Sequence, residues 1–111
     1  MKKEIFTTML GIVLLAACAV RKSEPITQRQ FNPTDNQVIK GERVFMMYCQ
    51  KCHPGGEAGQ GPSLVSSPLP QFLKRFQVRH GLGAMPAFKQ NQLTKTELDN
   101  LSKYMKAWKS Y

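Results

Sequence analysis

Five residues, Cys49-Gln50-Lys51-Cys52-His53, restrict this chain more than any other stretch of its sequence. Cys49 and Cys52 stand three apart and Cys49 and His53 four apart, so on a turn of helix all three side chains lie on one side. Two thiols so placed can form thioethers with the two vinyl groups on one edge of a porphyrin, with the imidazole beneath the iron as its proximal ligand. Cys-x-x-Cys-His is the attachment pattern for c-type haem. Other chemistries use parts of the same pattern. A structural zinc site takes four ligands, usually from two separated pairs; here there is one pair, and the adjacency of Cys52 and His53 strains joint coordination. A thioredoxin-like redox pair expects a βαβ surround, which is absent from the pattern. A Cys49–Cys52 disulfide closes a very tight loop. The cofactor expected is one covalently bound haem c.

The surrounding chain reads as helices joined by glycine- and proline-rich loops. With 111 residues, 41% hydrophobic and 21% charged, it is long enough for one small domain and is neither a disordered polymer nor a multi-span membrane protein. Thr34-Asp35-Asn36-Gln37 fits a capping box with Thr34 as the cap, and a helix over about 36–49 follows, with Val38, Gly41, Phe45 and Tyr48 on one face. Gly41 in mid-helix costs about 1 kcal/mol against Ala, so close approach of a second helix is expected there. A shorter helix is expected over about 70–80, with Pro70 in its first turn, Phe72 and Phe76 one turn apart and Gly81 as the stop. The last helix opens on a capping box, Thr94 with Glu97, with Leu93 and Leu98 as a hydrophobic staple. Leu98, Leu101, Met105 and Trp108, with Tyr104 beside them, make its core stripe. No segment alternates like a strand. An all-helical unit of about 75 residues with such loops has a small core, so something else is expected to fill its centre.

The N-terminus has the layout of a secretory signal. Lys2 and Lys3 precede an apolar stretch of about a dozen residues, too short to span a bilayer comfortably. Leu15-Ala16-Ala17-Cys18 looks like a bacterial lipobox, which implies lipidation of the Cys18 sulfur and cleavage before it. Residues 1–17 are then the signal peptide, 18–36 a tether and 37–111 the compact domain. An ordered strap packed through Ile26 and Phe31 is the alternative for the tether. A lipidated N-terminus holds a protein on a membrane without spanning it. Ala19 after the lipidated cysteine favours the outer membrane in a Gram-negative cell. Lys and Arg total 16 against 7 Asp and Glu, a net charge of +9. Export sets nucleic acid aside as a partner. The charge suits attraction to anionic lipid, or docking of lysines such as Lys51 on acidic patches of redox partner proteins.

Four patches, in order, give residues 37–111 a resemblance to the class I cytochrome c family. Gly41-Glu42-Arg43-Val44-Phe45-Met46-Met47-Tyr48-Cys49 is similar to its N-terminal helix, and Gly61-Pro62-Ser63-Leu64 to its Gly-Pro-x-Leu loop. Gly83-Ala84-Met85-Pro86-Ala87-Phe88 is similar to its distal Met-Pro segment, and Leu101 and Tyr104 occupy its Leu and aromatic positions on the last helix. The resemblance implies an all-α cytochrome c fold of three main helices around one haem. It implies that Cys49 and Cys52 hold the haem covalently, that His53 is the proximal ligand, and that Met85 is the distal one. It further implies that the Pro62 carbonyl accepts the other imidazole N–H, that Leu64 packs on the proximal face, and that Gly41 and Phe45 meet Leu101 and Tyr104. Ser63 departs from the Asn found in many members.

Met85 has rivals as the distal ligand. His80 lies five residues upstream and binds iron well, Met46 and Met47 are too close to the attachment site, and Met105 belongs to the last helix. Pro86 stiffens the chain after Met85, while Gly81 and Gly83 let it curl. Arg75 and Arg79 read as solvated helix charges, with an approach to the haem propionates as the lesser reading. A thioether ligand raises the potential and fills the coordination sphere. The function expected is a membrane-anchored, extracytoplasmic mono-haem carrier of single electrons and not an enzyme. The alternatives are a haem protein whose distal ligand is displaced by gas or peroxide, or a subunit of a larger respiratory complex.

Overall fold

The computed structural model describes residues 31–110. Three helices organise them: α1 (Asn36–Tyr48), α2 (Gln71–His80) and α3 (Lys95–Ala107), with short 3-10 turns at Pro54–Gly56 and Trp108–Ser110. Among the described residues there is no strand, only an isolated bridge between Leu82 and Met85. The chain is all-α, as its patterning implies.

The start of α1 lies one residue away from the expected cap. Asp35, not Thr34, is the N-cap: its Oδ1 accepts from the amides of Gln37 at 2.7 Å and Val38 at 3.4 Å. A carboxylate takes both amides at once and adds negative charge at the positive end of the helix dipole. The start of α3 agrees with the sequence. Glu97 N donates to Thr94 Oγ1 at 3.2 Å and Thr94 N donates to Glu97 Oε2 at 2.7 Å. The backbone and hydroxyl bonds from Thr94 hold the Glu97 carboxyl below its ordinary value. Leu93 and Leu98 are both buried beside this cap.

The core lies where α1 crosses α3. A Cβ at Gly41 would fall 2.1 Å from the Asn100 carbonyl oxygen and 2.8 Å from Cβ of Tyr104, so the two helices touch backbone to backbone there. Phe45 packs its ring 5.6 Å from Tyr104 and 5.3 Å from Trp108 (centroid distances), the second pair edge to face. Aromatic pairs at this spacing contribute about 0.5–1.5 kcal/mol beyond their burial. Lys103 Nζ donates to Gln37 Oε1 at the edge of the crossing. Leu98, Leu101, Met105 and Trp108 are all buried, as their spacing predicts.

Phe31, left outside the compact domain by the tether reading and packed by the strap alternative, belongs to this core. It is 3% exposed and stands edge to face on Tyr104 at 5.4 Å. Packing therefore begins ahead of residue 37. Ile26, Cys18 and the signal segment lie outside the described residues.

Helix α2 begins after Pro70, with no side-chain cap, and ends at Gly81, whose φ of 72° few other residues adopt. It turns Lys74 and Val78 inward, while Phe72 and Phe76 are exposed together with Leu69 and Leu73. Lys74 Nζ donates to the Leu64 carbonyl at 3.4 Å, and burial lowers its pKa, with Lys109 adding to the effect. The reading of Arg75 and Arg79 as solvated charges does not hold. Arg75 pairs with Asp99 at 2.5 Å and donates to Ser102 Oγ at 3.1 Å, joining α2 to α3. Arg79 donates to the carbonyls of Phe88 and Leu93. Carbonyls and carboxylates of neighbouring segments take the bonds that water was expected to supply.

Candidate cofactor site

Helix α1 delivers the chain to Cys49, and the coil continues beyond its assigned end. Cys49 N and Gln50 N both donate to the Phe45 carbonyl, at 2.8 and 3.0 Å; Cys52 N and His53 N both donate to the Cys49 carbonyl, at 3.1 and 2.9 Å. Residues 49–53 thus form one closed turn, which is the local geometry that spacing of three and four requires. Gln50 Oε1 accepts from Gly55 N at 2.9 Å and fastens the exit from this turn.

The loop then folds back over the histidine. Gly61 N donates to the Cys52 carbonyl at 3.1 Å, and Leu64 N to the Gly56 carbonyl at 2.8 Å. His53 is 6% exposed, and its Nδ1 donates to the Pro62 carbonyl at 2.9 Å. A carbonyl only accepts, so Nδ1 carries the hydrogen and Nε2 of the neutral ring keeps its lone pair for a metal. Such an outer bond fixes ring orientation and raises ligand basicity. Gly61 provides the room: a Cβ there would lie 2.3 Å from Cε1 of His53 and 2.9 Å from each ring nitrogen. The motif spacing alone does not reveal that role for Gly61, nor the roles of Gln50 and of Gln60, whose Oε1 accepts from the Cys52 thiol at 3.4 Å.

Cys49 and Cys52 are both half-buried free thiols. Burial pushes the Cys49 thiol up to about 12, and the neighbouring Cys52 adds to the rise. Exchange-active Cys-x-x-Cys pairs depend on a lowered thiol pKa, so the environment opposes a redox-pair role. Among the described residues no group of three or more His, Cys, Asp or Glu side chains is arranged to hold a metal ion.

The other sequence-predicted residues are placed as follows. Leu64 is half-buried against the core. Met85 is half-buried against it too, in a tight turn in which Leu82 N donates to Met85 O at 3.1 Å and Met85 N to Leu82 O at 3.0 Å. His80 is exposed, with Nδ1 donating to the Phe76 carbonyl at 2.8 Å and its ring stacked on Phe76 at 4.0 Å. Met46 and Met47 are exposed on α1 and Met105 is buried in the core. Tyr48 OH donates to the Gln92 carbonyl at 3.1 Å, and the Tyr48 ring stands edge to face on Phe88 at 5.5 Å, so the end of α1 touches the segment that follows Met85.

The buried, oriented imidazole, the glycine clearance above it and the two thiols on the preceding turn fit a c-type haem held from the proximal side. Comparison with known families agrees. A family model described as "Cytochrome C oxidase, cbb3-type, subunit III" matches residues 36–105, which include all three helices to within their last turn. A comparison with curated proteins gives no match.

Proposed function

Because the chain belongs to the cbb3-type cytochrome c oxidase subunit III family, a class I c-type cytochrome family, and is thereby a haem-based electron-transfer protein, we propose that it is an extracytoplasmic, lipid-anchored carrier of single electrons with one covalently held haem c. The observation that carries this reading is the His53 ring, buried, bonded through Nδ1 to Pro62 and adjoining Cys49 and Cys52. In this proposal Cys49 and Cys52 would hold the haem through thioethers, His53 Nε2 and Met85 Sδ would bind its iron, and Leu64 would pack against it. When bound, the haem supplies an iron that exchanges one electron between its ferric and ferrous states.

The protein's own residues would hold that group in place. The Pro62 carbonyl fixes the imidazole plane, and Gly61 leaves that plane unobstructed. A thioether on the opposite side favours the reduced state and raises the potential. Cys18 holds the mature chain on the membrane; among the described residues no helix is long and apolar enough to cross one. The basic surface, with exposed Lys51 inside the attachment motif, favours redox partners with acidic patches and anionic lipid. A second reading, a dedicated subunit of a larger respiratory complex, is favoured by the matched family's description.

Spectroscopy of the purified holoprotein with carbon monoxide tests the carrier reading. The oxidised protein should show the red sulfur-to-iron band, and the reduced protein should bind no carbon monoxide at neutral pH. Met85→Ala should abolish the band, lower the potential and admit the gas. Prompt binding by the unaltered protein refutes a closed electron carrier. Stable co-purification with an oxidase, against free exchange as a monomer, decides between a lipid-anchored shuttle and a dedicated subunit.

A further inference from the structure

The segment after α2 carries Met85, and the Arg79 side chain binds that segment at two carbonyls. Arg79, in the last turn of α2, donates from one nitrogen, Nη1, to two carbonyls: Phe88 at 3.0 Å and Leu93 at 2.5 Å. Phe88 N donates back to the Val78 carbonyl at 2.8 Å. Both backbone groups of Phe88, three residues beyond Met85, are therefore fixed to the end of α2. On the other side of Met85, Gly81 lets the chain cross closely: a Cβ there would fall 2.6 Å from the Met85 oxygen and 2.9 Å from Ala87 N. The two-bond turn between Leu82 and Met85, closed by Gly83 at φ 57°, completes the frame.

We propose that Arg79 is a positioning residue for the Met85 ligand: its guanidinium holds the segment 85–93 against α2, and so would keep the thioether where it can bind the iron. The inference rests on the reading of Met85 as the distal ligand. Charge-assisted bonds are the stronger kind, and two carbonyls share this one donor group, so no apolar side chain can substitute for it. Arg75, one turn earlier, is a matched comparison: it is also half-buried and fully engaged, but its partners are Asp99 and Ser102 on α3, not the ligand segment. Loss of Arg79 should free the ligand; loss of Arg75 should loosen only the contact between helices.

Holoproteins carrying R79M, R79K, R75M and M85A test this with two readouts, the red sulfur-to-iron band of the oxidised form and its affinity for added imidazole. R79M should weaken the band and bind imidazole about tenfold more tightly, a change equivalent to about 1.4 kcal/mol. R79K, which keeps a charged donor of different geometry, should fall between R79M and wild type. R75M should lower the melting temperature while leaving band and affinity at wild-type values. Wild-type band and affinity in R79M overturn the proposal, and so does an R75M protein that opens the iron as far as R79M does. If R79M does not accumulate with haem, R79K decides: raised imidazole affinity supports the proposal and wild-type affinity overturns it. M85A separates the two claims. If M85A retains the band, the ligand assignment is wrong and the Arg79 role falls with it; if M85A loses the band while R79M keeps it, only the Arg79 role fails.

Discussion

Replacing Gly41 by Ala sets two physical effects of opposite sign against each other. Helix propensity alone favours Ala over Gly in a helix interior by about 1 kcal/mol. Packing opposes it. The new Cβ would lie 2.1 Å from the Asn100 oxygen, 2.6 Å from the Asn100 carbonyl carbon and 2.8 Å from Tyr104 Cβ. The two closest atoms are backbone of α3 and cannot swing aside, so α1 and α3 must part by about 1 Å, a gap that forfeits a quarter to a half of each contact's attraction. Phe45, Leu101 and Tyr104 meet at this crossing and are all buried. Fully burying such side chains contributes about 1.5–3 kcal/mol each, so losing about a third of that for three residues costs about 1.5–3 kcal/mol. The net is a destabilisation of about 0.5–2 kcal/mol, or roughly 2–16 °C in Tm for a domain of this size. Thermal unfolding of the haem-loaded protein followed by circular dichroism measures it, with Lys40→Ala on the exposed face of the same helix as a control expected within about 0.5 kcal/mol of wild type. A Gly41→Ala protein as stable as wild type, or more so, would refute the backbone contact.

Gly61→Ala should push the His53 ring out of line, because the added carbon would lie 2.3 Å from Cε1; haem-loaded yield and reduction potential should both fall, and an unchanged potential would show that the ring is not held there. Glu97→Gln keeps the shape of the capping box but removes the charge at the helix N-terminus, so it should destabilise α3 by about 0.3–1 kcal/mol at neutral pH. The Glu97 carboxyl is held below its ordinary value of 4.5, so its contribution is complete above that pH and disappears as pH falls through the lower folded value. The stability difference between wild type and Glu97→Gln should therefore narrow in that acid range; a constant difference down to pH 2 would argue against an ionised cap. Cys18→Ser should release the protein from membranes with haem absorption intact, and membrane retention would remove the lipid anchor from the account.

Much of the fold is legible in the sequence because its signals are local. The Thr94–Glu97 box, the stripe from Leu98 to Trp108 and Gly81 as a stop all depend on residues within a turn or two of each other. Asp35 displaced Thr34 as a cap because two adjacent residues both qualify by pattern, and only three-dimensional geometry shows which one reaches two amides. Composition does not choose between tether and packed strap for Phe31, because its partner, Tyr104, is far away in sequence. The same limit applies to the arginines: spacing gives no hint that Arg79 ends on Phe88 and Leu93, since carbonyl acceptors carry no sequence signature. At the cofactor site the attachment turn and the Pro62 bond were legible from pattern and resemblance. The clearance above Gly61 was not, because a glycine that serves a neighbour's ring looks the same as a glycine in any turn.

Intact-mass measurement of the mature protein, produced with functional haem-attachment machinery, tests the central claim most directly. The account predicts a coloured protein heavier than its polypeptide and lipid by one haem, with the added mass surviving denaturation and disappearing when Cys49 and Cys52 are both replaced by Ala. A colourless product at polypeptide-plus-lipid mass would contradict it.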